Sequence, residues 1–199
     1  MQNRKTMYDK EIYHAIFEPD ASNPASAMPE RLSAVHPLKV YDNLPSLYED
    51  CEAVQRKVLE EILIRAQGTA YAADHDLNGV YTLDAWRNVA KATLYADYQP
   101  YVEREMEGHI GQLYNAETAL YVATTGSTGN IKYFLESKAG NTAKDFMMTV
   151  RGLYLRHTLP IIANMEAKNL TITNYAPLDN GHDKQTLTVR ASGQTARNI

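Results

Sequence analysis

At 199 residues the chain has room for one domain with a real core and a small extra lobe. Its hydrophobic content of 44% is that of a soluble globular protein, and a net charge of −4 leaves no basic surplus for a general nucleic-acid binder. The single cysteine, Cys51, excludes an internal disulfide and a multi-cysteine metal site, which fits a reducing, cytoplasmic setting.

Residues 1–50 form a leader rich in proline and tyrosine. Met1 to Lys10 is basic, but no apolar run follows it to make an export signal. Tyr8, Ile12, Tyr13, Ile16 and Phe17 recur at helical spacing, so a short helix is expected to pack on the body. Pro19, Pro24, Pro29, Pro37 and Pro45 then favour an extended or irregular path.

A clear amphipathic helix follows. Val54, Val58, Leu59, Ile62 and Leu63 recur every three or four residues, and Gly68 just beyond suits the left-handed C′ position. Thr82 or Asp84 is placed to cap a short helix with Trp86 and Val89. Pro100 suits the first turn of another helix holding Tyr101, Val102 and Met106. On it Tyr95, Tyr98 and Tyr101, three residues apart, are expected to pack with wet hydroxyl ends. Glu103, Arg104, Glu105 and Glu107 are expected to be a solvated face.

The most informative stretch comes next. The apolar run Ala119-Leu120-Tyr121-Val122-Ala123 leads into Thr124-Thr125-Gly126-Ser127-Thr128-Gly129-Asn130-Ile131-Lys132. Phosphate oxygens need many donors at close range, and here are four hydroxyls, backbone N–H groups beside glycines that let the chain approach closely, and an ammonium. The segment is expected to be a strand entering a phosphate-holding loop. It is no Walker A element, because no Gly-Lys-Ser/Thr triplet closes it. Lys132 has two readings, a phosphate contact or a solvated surface lysine.

Tyr133-Phe134-Leu135 is expected to be a second strand, and Asn141 or Thr142 to open a helix with Phe146, Met147 and Tyr154 in the core. Pro160 is placed to end that helix, with His157 partly buried or capping its end. The run Leu159-Pro160-Ile161-Ile162-Ala163 is too short to span a bilayer. Leu170-Thr171-Ile172-Thr173-Asn174-Tyr175 alternates and is β-branched, so it is expected to be a strand, and Leu187-Thr188-Val189 gives a brief strand signal in the polar tail. The six histidines show no zinc-ligand spacing, so no metal site is expected, and Cys51 lacks a neighbouring base and is read as structural.

Taken in order, Gln55-x-x-Val58-Leu59-x-x-Ile62-Leu63, Gly68-Thr69-x-Tyr71, Leu77-Asn78-Gly79, Tyr95-x-x-Tyr98-x-Pro100-Tyr101-Val102-x-Arg104, Gly108 and the Thr/Ser/Gly loop with Lys132 resemble the amino-terminal part of the GH3 family, the acyl acid amido synthetases. The resemblance runs from about Cys51 to Pro160. It implies an α/β fold: amino-terminal helices, then a small mixed sheet with packed helices, part of an adenylate-forming large domain. The sheet would be built from the strand before Thr124 and those at Tyr133 and Leu170. The domain reading is a leader at 1–50, a GH3-like portion at 51–178 and a polar tail at 179–199.

The resemblance also implies ATP and Mg2+ as cofactors, and a small-molecule carboxylic acid and an amine or amino acid as partners, with no nucleic acid and no membrane. Adenylation of the acid would precede amide formation. Thr124, Thr125, Gly126, Ser127, Thr128, Gly129 and Lys132 carry over as the phosphate loop; no catalytic residue is assigned. Ile131 stands where related acyl-CoA-forming enzymes have proline, and neither a Tyr-x-Ser/Thr-Ser/Thr-Glu adenine segment nor a Tyr-Arg-x-Gly-Asp ribose motif is present. The alternatives are a truncated, non-catalytic remnant or nucleotide-binding module, and an acyl-CoA-forming aryl acid ligase. A complementing polypeptide, or self-association through an incomplete sheet, belongs to the same expectation.

Overall fold

The structure, a computed structural model, describes residues 4–18, 26–124, 131–159, 181 and 188–190. The chain divides into two compact units, one of residues 1–61 and 139–169, the other of 62–138 and 170–199.

The first unit is helical: α1 (Arg4–Met7), α2 (Lys10–Phe17), α3 (Met28–Ser33), α4 (Pro37–Asp42), α5 (Leu44–Glu49), α6 (Cys51–Ala66) as far as Glu61, and α10 (Lys138–Thr158) from Ala139. Asp9 caps α2 by accepting the Glu11 N–H at 2.9 Å, and the predicted stripe is its core face. Tyr8, Ile12 and Ile16 are buried with Met28, Val35 and Val40, and Val54, Val58, Phe146 and Val150 pack around them.

The leader path differs from expectation. Pro29, Pro37 and Pro45 do not hold the chain extended; each sits at the first or second position of a short helix. There the missing N–H would have had no intrahelical partner, and the fixed φ already suits a helix. Arg31 knits the turns together, donating to Ala15 C=O at 2.8 Å and pairing with Glu61, whose other oxygen accepts the Met28 N–H at 2.8 Å. Pro19 and Pro24 lie outside the described residues.

The α10 helix also departs from expectation, opening at Lys138 rather than at Asn141 or Thr142. It stops at Thr158, before Pro160, as that proline's effect on the preceding residues requires. Phe146 and Val150 pack on the core, but Met147 and Tyr154 are exposed, so the predicted stripe is narrower than its apolar residues. His157 is exposed and stacks on Tyr41 at 4.9 Å. Cys51 opens α6 with its side chain exposed.

The second unit holds the end of α6, then α7 (Ala70–Asp74), α8 (Leu83–Val89), α9 (Tyr95–Met106), β1 (Thr118–Ala123), β2 (Tyr133–Ser137) and β3 (Thr188–Arg190). Gly68 has φ +74°, the left-handed stop predicted for α6. The side chain of Gln67 fastens the following turn, donating to the carbonyls of Leu63, Leu77 and Val80 and accepting the Gly79 N–H at 2.7 Å. Asn78 accepts the Gly68 N–H at 2.9 Å, and buried Thr69 caps α7 through the Ala72 N–H. The Gly68-Thr69 and Asn78-Gly79 pieces of the sequence pattern thus build a turn. Thr82, not Asp84, caps α8.

Pro100 lies inside α9 rather than at its start. The helix begins at Tyr95 because the Asp97 carboxylate accepts the Leu94 N–H at 2.6 Å and closes the first turn there.

The sheet is mixed, with strand order β2-β1-β3. The β1 and β2 strands are antiparallel, Val122 opposite Phe134 and Ala123 opposite Tyr133; β1 and β3 are parallel, Val122 opposite Val189. Leu120 through Ala123 are all buried, as a central strand covered on both faces demands. Tyr121 packs with Val102 and Met106 of α9, while Leu120 and Val122 form a separate cluster, as alternation along a strand requires. The brief signal at Thr188 is therefore a paired strand. The strand expected at Leu170–Tyr175 lies outside the described residues.

Candidate functional site

The hairpin between β1 and β2 carries the predicted loop. The described part of it is Thr124, Ile131 and Lys132; Thr125, Gly126, Ser127, Thr128 and Gly129 lie outside the described residues. Antiparallel pairing brings the two ends of the loop together. Thr124 N–H donates to the Lys132 carbonyl at 2.9 Å, and Lys132 N–H donates to Thr124 Oγ1 at 3.1 Å. This pair continues the ladder one step past Ala123 and Tyr133. A hydroxyl and an ammonium are thereby held on adjoining residues at the loop mouth, and the Lys132 side chain is exposed.

Tyr95, at the start of α9, fixes that mouth to the helix. Its hydroxyl donates to the Tyr133 carbonyl at 3.0 Å and accepts the Tyr133 N–H at 2.9 Å. The ammonium of Lys132 stands 5.4 Å from the centre of its ring, within cation–π range, and Phe134 packs against the ring at 5.6 Å. Burial pushes the Tyr95 hydroxyl above its ordinary range, with the hydrogen bond to Tyr133 acting the other way. It is a neutral, bonded hydroxyl and not the wet end expected. Tyr101 differs in the same way: it is buried and donates to Asp74 at 2.8 Å.

Behind the strand lies a polar knot that the charge pattern hid. Glu105 is buried, not solvated; it accepts the Gln112 N–H and the Thr118 hydroxyl, each at 3.1 Å. Its backbone carbonyl accepts from the Tyr121 hydroxyl at 3.3 Å. Arg104 donates to the Gln112 side chain at 2.7 Å and lies 4.6 Å over the Tyr101 ring. The Gln112 carbonyl in turn takes the Tyr71 N–H at 3.0 Å, so this knot links α7, α9 and β1. The signal for Glu105 was present in sequence, since it stands three and four residues from Val102 and Tyr101 on the core side of α9. Nothing in sequence singled out Tyr95 as the partner of Tyr133.

Among the described residues no group of three His, Cys, Asp or Glu side chains could hold a metal ion, and no helix is long and apolar enough to cross a membrane.

The site is thus a hairpin on a mixed sheet whose connecting sequence is rich in hydroxyl residues and glycine. Residues 40–194 match the family model for the GH3 family N-terminal domain, and the chain belongs to that family. The match encloses the whole hairpin. An indole-3-acetic acid-amido synthetase GH3.5 of Arabidopsis thaliana is 29% identical over 87 residues, which is 43% of this chain. The matched stretch covers 14% of that relative's length.

Proposed function

We propose that this chain carries the nucleotide-phosphate loop of an ATP-dependent ligase that joins a carboxylic acid to an amine. The observation that carries this is the enclosure of the β1–β2 hairpin, with its hydroxyls, glycines and Lys132, within a GH3 family match. In the first step a carboxylate oxygen attacks the α-phosphorus of ATP and the bond to the β-phosphate breaks, leaving an acyl-adenylate and pyrophosphate. In the second an amine nitrogen attacks the acyl carbon, the bond to AMP breaks, and the amine proton passes to solvent or a base.

Negative charge moves onto the departing pyrophosphate in the first step. Donors fixed in advance around that charge stabilise it most, because they need no reorganisation as it develops. The hydroxyls of Thr125, Ser127 and Thr128 and the ammonium of Lys132 are the proposed donors, with Thr124, Gly126 and Gly129 shaping the backbone between them. The described end of the loop fits an anion: an exposed ammonium beside a hydroxyl, with no carboxylate among the described residues bonded to either. Magnesium, carried in on the ATP phosphates, would offset part of their charge. Tyr95 is a positioning residue here, holding the Tyr133 backbone and so the point where Lys132 leaves the strand. Recognition of adenine and acyl group is assigned to residues beyond the 14% of the relative that is matched, on continuing or complementing polypeptide.

The test is calorimetric titration with ATP and magnesium, paired with pyrophosphate release in the presence of candidate acids. Saturable micromolar binding that weakens in the paired variant Ser127→Ala, Thr128→Ala is the expected result. Wild-type binding and turnover in that variant would remove the loop from the mechanism. Binding without pyrophosphate release would favour a nucleotide-binding module, and CoA thioester in place of amide would move the chain to the aryl acid ligases.

A further inference from the structure

A cavity of about 420 Å³ lies in the second unit, between α7, α8 and the start of α9. That volume is within the range of small-molecule sites, roughly 300–1,000 Å³. Its aromatic lining comes from Tyr71, His75, Trp86 and Tyr98. The Tyr71 ring stacks on His75 at 4.1 Å and on Tyr98 at 5.2 Å. These rings are held in place from behind. Tyr101 meets Tyr71 edge-on at 5.2 Å and is itself bonded to Asp74, while the Tyr98 hydroxyl pairs with Thr93. Burial pushes the Tyr71 hydroxyl well above its ordinary range, so that phenol stays protonated through neutral pH.

Three charged side chains line the cavity, the carboxylates of Asp74 and Asp76 and the ammonium of Lys91. The sum favours a cation. Asp76 adds a backbone observation: its φ is +55°, the one positive φ outside glycine among the described residues. A turn alone is served with less strain by glycine, and the same turn uses Gly79 at φ +84° a few residues on. Aspartate tolerates this region better than most residues, but its presence keeps a carboxylate at the cavity at a conformational cost. Aromatic faces and carboxylates share one preference, for a positively charged group with an apolar body.

We propose that this cavity binds a small organic cation, a protonated amine carried on a flat aromatic body. The proposal stands apart from the adenylation reading, since none of its residues belongs to the β1–β2 hairpin.

Trp86 is the only tryptophan in the chain and lines the cavity, so its fluorescence reports occupancy directly. The full chain would be titrated with phenethylammonium, and with 3-phenylpropionate as a probe of similar shape and opposite charge. The expected result is a saturable change with phenethylammonium in the millimolar range or tighter, at least roughly fivefold weaker in Asp76→Asn, and at least roughly fivefold stronger than with 3-phenylpropionate. Asparagine accepts positive φ, so that variant keeps the turn. Lys91→Glu, an exposed change, is expected to tighten phenethylammonium. Equal affinity for the two probes would overturn the proposal. So would indifference to both Asp76→Asn and Lys91→Glu, or no saturable response by fluorescence and by ligand-observed NMR.

Discussion

Glu105 offers a test of how the second unit is held together. Truncation to alanine removes the acceptor of the Gln112 N–H and of the Thr118 hydroxyl, both at 3.1 Å. Hydrogen bonds to a carboxylate are worth about 1.5–3 kcal/mol each. The Thr118 hydroxyl has a second partner in Tyr114, 2.9 Å away, so its loss is softened. The Gln112 N–H is a buried backbone donor with nothing else offered to it in the knot, so it bears the desolvation cost of about 1–3 kcal/mol. Against this, removing a buried carboxylate relieves its own desolvation. The balance is a loss of about 2–3 kcal/mol, or about 4–12 °C in melting temperature for a chain of this size. Urea unfolding followed by Trp86 fluorescence reads it directly, because Trp86 lies in the same unit as Glu105. Glu103→Ala on the exposed side of the same helix is the control and should stay within about 0.5 kcal/mol of wild type. Glu105→Ala indistinguishable from Glu103→Ala would refute the assignment of Glu105 as the centre of the knot.

Three further changes probe other parts of the structure. Tyr95→Phe removes both hydrogen bonds to Tyr133 and should cost about 1–3 kcal/mol while speeding amide exchange at Tyr133; unchanged exchange there would mean the hydroxyl does not hold the hairpin. Pro100→Ala restores a helical N–H inside α9 at an exposed position and should stabilise by about 1–2 kcal/mol, part of the roughly 3 kcal/mol penalty of interior proline being offset by its stiffening of the unfolded chain; a lower midpoint in urea would contradict this. Burial, with the Asp50 carboxylate alongside, pushes the Tyr8 hydroxyl up to about 12, so its protonated form is favoured in the folded state. The stability it contributes is complete below pH about 10 and is lost as pH rises toward 12, at most about 3 kcal/mol; Tyr8→Phe should flatten that part of the curve, and parallel curves for the two proteins would refute it.

Local structure was legible in the sequence wherever a single segment decides it. The stripe from Tyr8 to Phe17, the periodic run ending at Gly68 and the cap at Thr82 need only their own neighbours, because helix periodicity and capping act within a few residues. The family was legible too, through the order of short patterns leading to the Thr/Ser/Gly loop. The same patterns did not disclose their roles: Gly68, Thr69, Asn78 and Gly79 turned out to secure a turn through Gln67 and the α7 cap.

What the tertiary structure alone decided are the long-range pairings. Proline density looked like an extended leader, yet Pro29, Pro37 and Pro45 start helices whose apolar sides meet a core formed partly by residues more than a hundred positions away, at Phe146 and Val150. Glu105 carried the same charge as its exposed neighbours Glu103 and Glu107, and only the return of the chain through Gln112 and Thr118 made it a buried acceptor. Tyr95 became the anchor of the β1–β2 hairpin because β2 passes it 38 residues later, offering both backbone groups of Tyr133 to one hydroxyl. Periodicity records which side of an element faces inward; it holds no record of what will be waiting there, because burial and pairing are set by segments that meet only when the chain has folded.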